Sequence, residues 1–361
     1  MGKLDVLIEE GARSHVFPLA RGCVFARGHL VWEGGNTPGD TVFDLASLTK
    51  VIATTALVFE LGLELEAPLK RFLPTAAAGD ATLEDLLFHR SGLPAFLPFF
   101  ARPMAEIPQL FDDDCPPRLR TIARQRTLEQ VLATAPIRKV GEASVYSDLG
   151  FILLGEALAA ASGTPLDSLF SQRVAGPLRL AAQFRRVSAS PALPPSLAPT
   201  GNSRPREPAP GQEGLWNIPA RVTRPGEVDD DNAWSLDGVS GHAGVFATAL
   251  DVGRFGLAVL EGKVARNVSW RIDSITPGST RALGFDTPSL EGASCGPRFG
   301  RSGPRGALGH LGFTGTSLWV DLDRQVVVAL CTNRVALGRA NLAIRDFRPR
   351  FHDAVIDALA P

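Results

Sequence analysis

The chain has 361 residues, 45% of them hydrophobic and 21% charged, with a formal net charge of −1. That length supports one large domain or two lobes around a sizeable core. The balanced charge excludes a generally basic nucleic-acid binder and an acidic disordered tail. No run approaches the about 18–20 consecutive apolar residues of a bilayer-spanning helix, so a soluble globular chain with no membrane partner is expected. The 36 glycines and 28 prolines are aperiodic, which excludes a collagen-like repeat.

Met1-Gly2-Lys3-Leu4-Asp5 lacks the apolar stretch and cleavage site of a secretory signal, which predicts a cytoplasmic location. Cys23, Cys115, Cys295 and Cys331 are widely spaced, with neither a C-x-x-C pair nor a His/Cys cluster at metal spacing. They are expected to be free thiols, and neither a metal nor another cofactor is expected. Nothing in the sequence fixes an oligomeric state. Lysine and tyrosine are scarce: five lysines stand among 37 basic residues, and there is a single tyrosine against 20 phenylalanines. A site that uses either is therefore informative.

In chain order, residues 4–12 predict a short amphipathic helix. Gly22–Ala26 and His29–Glu33 read as strands about a turn at Arg27-Gly28. Val42–Leu45 is followed by Ser47, placed to open an apolar helix that runs to about Leu63. From 66 to 183 the pattern is mostly helical. Thr82–Phe88 is capped by Thr82 with Asp85 three residues on, Thr127–Thr134 is a second helix, and Leu149–Ser162 ends at Gly163. Residues 184–226 read as one long Pro/Gly-rich loop, of a length that is usually functional or disordered. Gly244–Ala247 reads as a strand before the helix Ala249–Leu260. Ser317–Val320 and Val326–Thr332 form a hairpin through Asp321–Arg324, and a helix over Phe351–Leu359 closes the chain. Strands at both ends with helices between predict an α+β fold: an antiparallel sheet flanked by helices in a lobe formed by residues 1–65 and 236–361, with a mostly helical lobe, 66–235, inserted into it.

The chemistry starts at Ser47-x-x-Lys50. Three residues apart on a helix, the amine reaches the hydroxyl. Serine is a weak nucleophile until a base takes its proton, and a desolvated lysine can serve where arginine, which does not deprotonate, cannot. The only tyrosine lies in Tyr146-Ser147-Asp148, directly before a helix, and His310-Leu311-Gly312-Phe313-Thr314-Gly315-Thr316 leads into a strand. With these three elements in order, the chain resembles the serine β-lactamase and penicillin-binding-protein superfamily, in its class C-like and esterase-like branch. That group carries S-x-x-K, Y-x-N or Y-S-D, and K-T-G or H-x-G. Phe43–Ala46, Leu86–Leu93 and Gly238–Thr248 also look like it, and the resemblance covers most of residues 20–335.

The resemblance implies a β-lactamase/transpeptidase-like fold and a metal-independent serine hydrolase. Ser47 would be acylated, Lys50 and Tyr146 would share base and acid duties, and the N–H groups of Ser47 and Phe313 would form the oxyanion hole. Gly312 would let the strand approach substrate, and water activated near Tyr146 would deacylate. Asp148 replaces a frequent asparagine; its carboxylate favours the Lys50 ammonium and accepts but does not donate hydrogen bonds. His310 replaces the lysine of K-T-G, removing positive charge near neutral pH, and Asp229-Asp230 adds negative charge. Together these departures favour a neutral ester or amide over a carboxylate-bearing lactam.

The expectation is thus a cytoplasmic esterase or amidase acting on a small-molecule ester, amide or lactam. The alternatives are a β-lactamase or D-alanyl-D-alanine carboxypeptidase, an acyltransferase using the same site, and an inactive ligand- or partner-binding protein. Among other residues, His242 reads as structural or supporting, and His89 as a cap or packed ring. Arg334 could contact substrate but is more often a surface ion-pair residue, Trp216 could line a pocket but more often such a ring packs locally, and Asp112–Asp114 reads as a solvated run. Gly292-Ala293-Ser294-Cys295-Gly296 matches G-x-S-x-G, but its flanks read as loop where a nucleophile elbow needs strand and helix.

Overall fold

Alternation of side chains along each strand organises the architecture. In Val326–Thr332, Val327, Ala329 and Cys331 enter one core while Val326, Val328 and Leu330 enter another. Both faces of this strand are therefore buried. In this computed structural model, which describes all residues except 1, 190, 191, 202, 223, 266–269, 271, 290–292, 300–305 and 361, it lies in a seven-stranded antiparallel sheet. The order across the sheet is His29–Gly35, Ala20–Ala26, Val326–Thr332, Ser317–Asp321, Ala307–Leu311, Phe285–Asp286, Arg281–Ala282. The register sets Cys23 against Ala329, Val328 against Trp319 and Leu318 against His310.

The helices Gly2–Arg13 and Ile344–Leu359 cover one face through Leu4, Ile8, Phe347 and Phe351. Ala249–Leu260 covers the other, opened by a Thr248–Asp251 capping box. A side chain at Gly256 would bring its Cβ to 2.5 Å from Val327 Cγ1, so glycine is what lets this helix lie close on the sheet. The remaining larger helices, including Pro117–Ala133 and Asp148–Ser162, fall between the first strands and the sheet's return. Asp148–Ser162 ends at Gly163 with φ of 66°, as a left-handed cap requires. The fold is α+β, as the sequence predicts. Among the described residues no single helix is long and apolar enough to cross a membrane.

Three elements differ from expectation. The helix after Ser47 is π-wound over Lys50–Thr55 and α-helical only over Ala56–Glu60. β-branched Val51, Ile52, Thr54 and Thr55 crowd an α turn, and Thr54 Oγ1 donates to Gly241 O at 2.6 Å, tying the widened turn to its neighbour. The closing helix starts at Ile344 and runs through Pro349, because Ile344, Phe347 and Arg348 are already anchored in the interior. The 184–226 stretch is not one plain loop: Ser203–Arg204 pairs with Arg221–Val222, and buried Arg204 donates to Asp231 Oδ1 at 2.7 Å.

Candidate active site

Ser47 is presented by a tight turn. Ala46 adopts φ of 47°, a left-handed conformation that alanine seldom holds unaided, and its N–H donates to Asp44 Oδ1 at 2.8 Å. The following turn then carries Lys50 beneath Ser47. Lys50 Nζ, fully buried, donates to Ser47 Oγ at 2.9 Å, Asp148 Oδ1 at 2.7 Å and His242 O at 3.3 Å. Three donors meet three acceptors, the inventory of an ammonium. Burial opposes that charge, but the Asp148 carboxylate and then Tyr146 outweigh it, and the Lys50 pKa is raised.

Tyr146 and Asp148 arrive from a segment bonded to residues 89–95. Val145 N–H donates to His89 O, Ser147 N–H to His89 Nδ1 at 3.0 Å, and Asp148 N–H to Ala95 O. Ser147 also caps the Asp148–Ser162 helix through Gly150 N–H. The Tyr146 ring lies against His89, with centroids 4.7 Å apart, and His310 at 5.8 Å. Lys50 Nζ is 4.8 Å from its centroid. Burial raises the phenol pKa; Lys50 pulls it down and Asp148 pushes it up, for a net rise. The neighbouring Ser47 hydroxyl also draws it down. His89 is a packed ring, as the sequence suggests.

The strand Ala307–Leu311 delivers His310 and then a turn. Gly312 N–H donates to Thr316 O, while Thr314 Oγ1 donates to Asp44 O at 2.7 Å and Thr316 Oγ1 to Leu45 O at 3.0 Å. The strand turn is thereby fastened to the Ser47 turn. Arg348 donates to the carbonyls of Gly312 (2.7 Å) and Thr316 (2.8 Å), and Arg334 Nε to that of Phe313 (2.7 Å). Among the described residues, the N–H groups of Ser47 and Phe313 donate to no protein acceptor. Two main-chain donors are thus left open, one on each side of the fastened turns.

His310 is buried. Its Nδ1 donates to Leu311 O at 2.8 Å, since a carbonyl only accepts, so Nε2 is the bare acceptor and has no protein partner. Burial, then the charges of Lys50 and Arg281, hold its pKa well below the ordinary histidine value. The ring is neutral and not proton-sensitive near pH 7.

A cavity of about 570 Å³ joins these groups; Ser47, Tyr146, Asp148, His310, Gly312 and Phe313 all line it, and Lys50 lies under it. The charge of its walls departs from the sequence reading. Asp229 is not free negative charge, since it pairs with Arg206 at 3.1 Å and Arg339 at 3.0 Å, and Asp230 is hydrogen-bonded to His242 at 2.9 Å. Burial would raise the Asp229 pKa, but Arg339, Arg206 and Arg204 overcome it and lower it. Asp148 is paired with Lys50, and Asp286 with Arg281. Arg334, Arg345 and Arg348 also line the cavity, and among the described residues none of them has a carboxylate partner. Arg334 is therefore a buried cavity residue, not a surface ion-pair residue. Burial lowers its pKa to about 10 and that of Arg348 to about 9, with neighbouring arginines adding to the effect. The positive charge lost by histidine at 310 is restored from 334–348, which carry no motif.

Trp216 packs on Phe100 and Phe96, with centroids 5.0 and 6.5 Å away. Asp112–Asp114 are exposed. In the G-x-S-x-G match, Gly292 lies outside the described residues, and Ser294-Cys295 form a turn before the four-residue helix Gly296–Phe299.

A Beta-lactamase family model matches residues 4–347. The N-acetylmuramyl-L-alanine amidase of Bacillus subtilis (strain 168) is 31% identical over 324 residues, which is 81% of this chain and 68% of that protein. Among solved structures, a novel penicillin-binding protein homolog from Caulobacter crescentus aligns with a TM-score of 0.67 at 20% identity, covering 99% of this chain and 97% of that one. EstCE1, described as a hydrolase with promiscuous acyltransferase activity, aligns with a TM-score of 0.65 at 20% identity, covering 96% and 98%. At that identity the structural likeness shows the fold.

Proposed function

The chain belongs to the Beta-lactamase family, and on that premise we propose that it is a metal-independent serine hydrolase that forms an acyl-enzyme on Ser47 with an ester or amide bearing a carboxylate. The observation that carries this reading is the hydrogen bond from Lys50 Nζ to Ser47 Oγ at 2.9 Å, facing two open N–H donors across one cavity.

With Lys50 held as an ammonium by Asp148, the resting lysine is not the base. Lys50 and Tyr146 titrate as a coupled pair, and their active form is one proton poorer than their resting form. In that form the Tyr146 oxygen takes the Ser47 proton as Oγ attacks the carbonyl, while the Lys50 ammonium stabilises the phenolate and alkoxide. The oxyanion sits between the N–H groups of Ser47 and Phe313; removing one such donor costs about 3–4 kcal/mol in acyl transfer. Tyr146 then hands its proton to the leaving oxygen or nitrogen. In deacylation it takes a proton from water, and Ser47 Oγ regains one as it departs.

Arg345 is exposed and has no carboxylate partner among the described residues, and it lines the cavity with Arg334, Arg348 and Phe313. Such a wall attracts a carboxylate, so the neutral-substrate preference is replaced by an anionic one. The test compares p-nitrophenyl butyrate with the p-nitrophenyl monoester of glutaric acid. The acid is expected to show the lower KM, and Arg345→Gln to erase that difference at unchanged thermal stability. Equal KM values in the wild type would refute the anionic preference; absence of turnover for both, and for nitrocefin, would refute the hydrolase.

A further inference from the structure

Asp44 ends the short strand Phe43–Asp44, three residues before Ser47, and is 2% exposed. Its carboxylate has no ion pair among the described residues; both oxygens are taken by main-chain donors. Oδ1 accepts from Ala46 N–H at 2.8 Å and Oδ2 from Asp229 N–H at 2.6 Å, while the Asp44 carbonyl accepts from Thr314 Oγ1 at 2.7 Å. One residue thus touches three parts of the site. Ala46 is the left-handed residue that turns Ser47 into the cavity. Asp229 pairs with Arg339, whose guanidinium lies 5.4 Å from the Phe313 ring and whose carbonyl accepts from Arg334. Thr314 follows Phe313, which bears one of the open N–H groups.

Taking the hydrolase reading as given, we propose that Asp44 is a positioning residue: its carboxylate, accepting from Ala46 and Asp229 at once, clamps the Ser47 turn to the arginine wall, and its protonation releases one of the two. Both partners are N–H donors, and a protonated oxygen is a much poorer acceptor than a carboxylate oxygen, so the N–H bond to the oxygen that takes the proton is weakened until it gives way. The charged groups facing the carboxylate are Asp229 and Asp230, with Arg206 and Arg339 beyond Asp229; Ala46 and Thr314 bring none. Burial raises the Asp44 pKa to about 7, the two acids add to this, and the two N–H bonds oppose it. The release therefore falls in the neutral range, where the turn at Ala46 loses its brace.

The wild-type protein is examined by amide NMR between pH 5 and 9, and by kcat and KM over the same range. The amides of Ala46 and Asp229 are expected to titrate together near pH 7, and kcat to fall on the acid side of that midpoint with KM within about twofold. Asp44→Asn presents one acceptor and one donor at all pH values, so it should lose this limb and keep only the steady rise of kcat with pH that the Lys50–Tyr146 pair imposes. Its kcat at pH 8 should lie about ten- to hundredfold below the wild type, the cost of a slightly misplaced nucleophile. Fixed amide shifts at Ala46 and Asp229, or a limb that survives in Asp44→Asn, would overturn the proposal. The amide titration needs neither turnover nor a folded variant, so it decides the clamp even if every hydrolysis assay fails.

Discussion

Replacing Gly312 by alanine adds one methyl group where the two halves of the site are fastened together. Its Cβ would lie 2.5 Å from the Leu45 carbonyl oxygen and would overlap Thr316 Oγ1. Ordinary contact begins near 3.4 Å, so the strand turn and the Ser47 turn must separate by about 0.9 Å, on the scale at which misplaced groups lose about 10²-fold. Thr316 is fully buried and donates to that same carbonyl at 3.0 Å, so its side chain does not rotate away without leaving a buried group unpaired. The separation opens the gap between the Ser47 and Phe313 N–H groups. Gly312→Ala is expected to lower kcat by about 10²–10³, the scale of one lost oxyanion donor, and to lower stability by about 1–3 kcal/mol through overpacking. Steady-state hydrolysis of p-nitrophenyl butyrate, with thermal unfolding in parallel, checks both. A folded variant with kcat within about threefold of wild type would refute the assignment of Phe313 N–H to the oxyanion.

Asp148→Asn should move the alkaline limb of kcat/KM to lower pH, because the carboxylate raises both Lys50 and Tyr146; a limb that stays in place would show that this set does not govern the rate. The raised Lys50 also gives the wild type stability that is present below the ordinary lysine pKa and lost as pH climbs through the raised one, so unfolding curves of Asp148→Asn should lack that alkaline loss. His310→Ala should leave the profile between pH 5.5 and 8 unchanged in shape, since the ring is already neutral there; loss of a limb in that variant would contradict the buried-neutral assignment. Asp44 carries the opposite sign to its role in activity. With its folded pKa raised from 3.8 to about 7, its contribution to stability is full below the ordinary carboxyl value and is lost as pH rises through 7, of the order of 4 kcal/mol. Wild-type Tm should thus fall from this group between about pH 4 and 7, with kcat rising toward the upper end of that range, and the slope should flatten in Asp44→Asn.

Local periodicity made much of this molecule legible. The 249–260 helix, the late hairpin and the Thr82 cap all follow from neighbours a few residues apart, as does the reach of Lys50 to Ser47. Tyr146 stood out because it is alone of its kind. The charge of the cavity was not legible, because it depends on pairing across the chain. Asp229 reads as bare negative charge until Arg206 and Arg339 are brought alongside. Arg334 follows a strand end, where a surface residue is the ordinary outcome; only the fold turns it under Phe313. Arg345 and Arg348 lie on a helical turn that Pro349 hides from a propensity reading. Asp44 is visible in the sequence only as a neighbour of the serine, since its second partner is 185 residues away.

The most direct test of the central claim is mass spectrometry of the intact and digested protein after exposure to a fluorophosphonate. One adduct, on the peptide containing Ser47, is expected; it should be absent in Ser47→Ala and form about 10²–10⁴ times more slowly in Lys50→Ala and Tyr146→Phe. Labelling at Ser294 instead, or a folded protein that takes up no label, would contradict it.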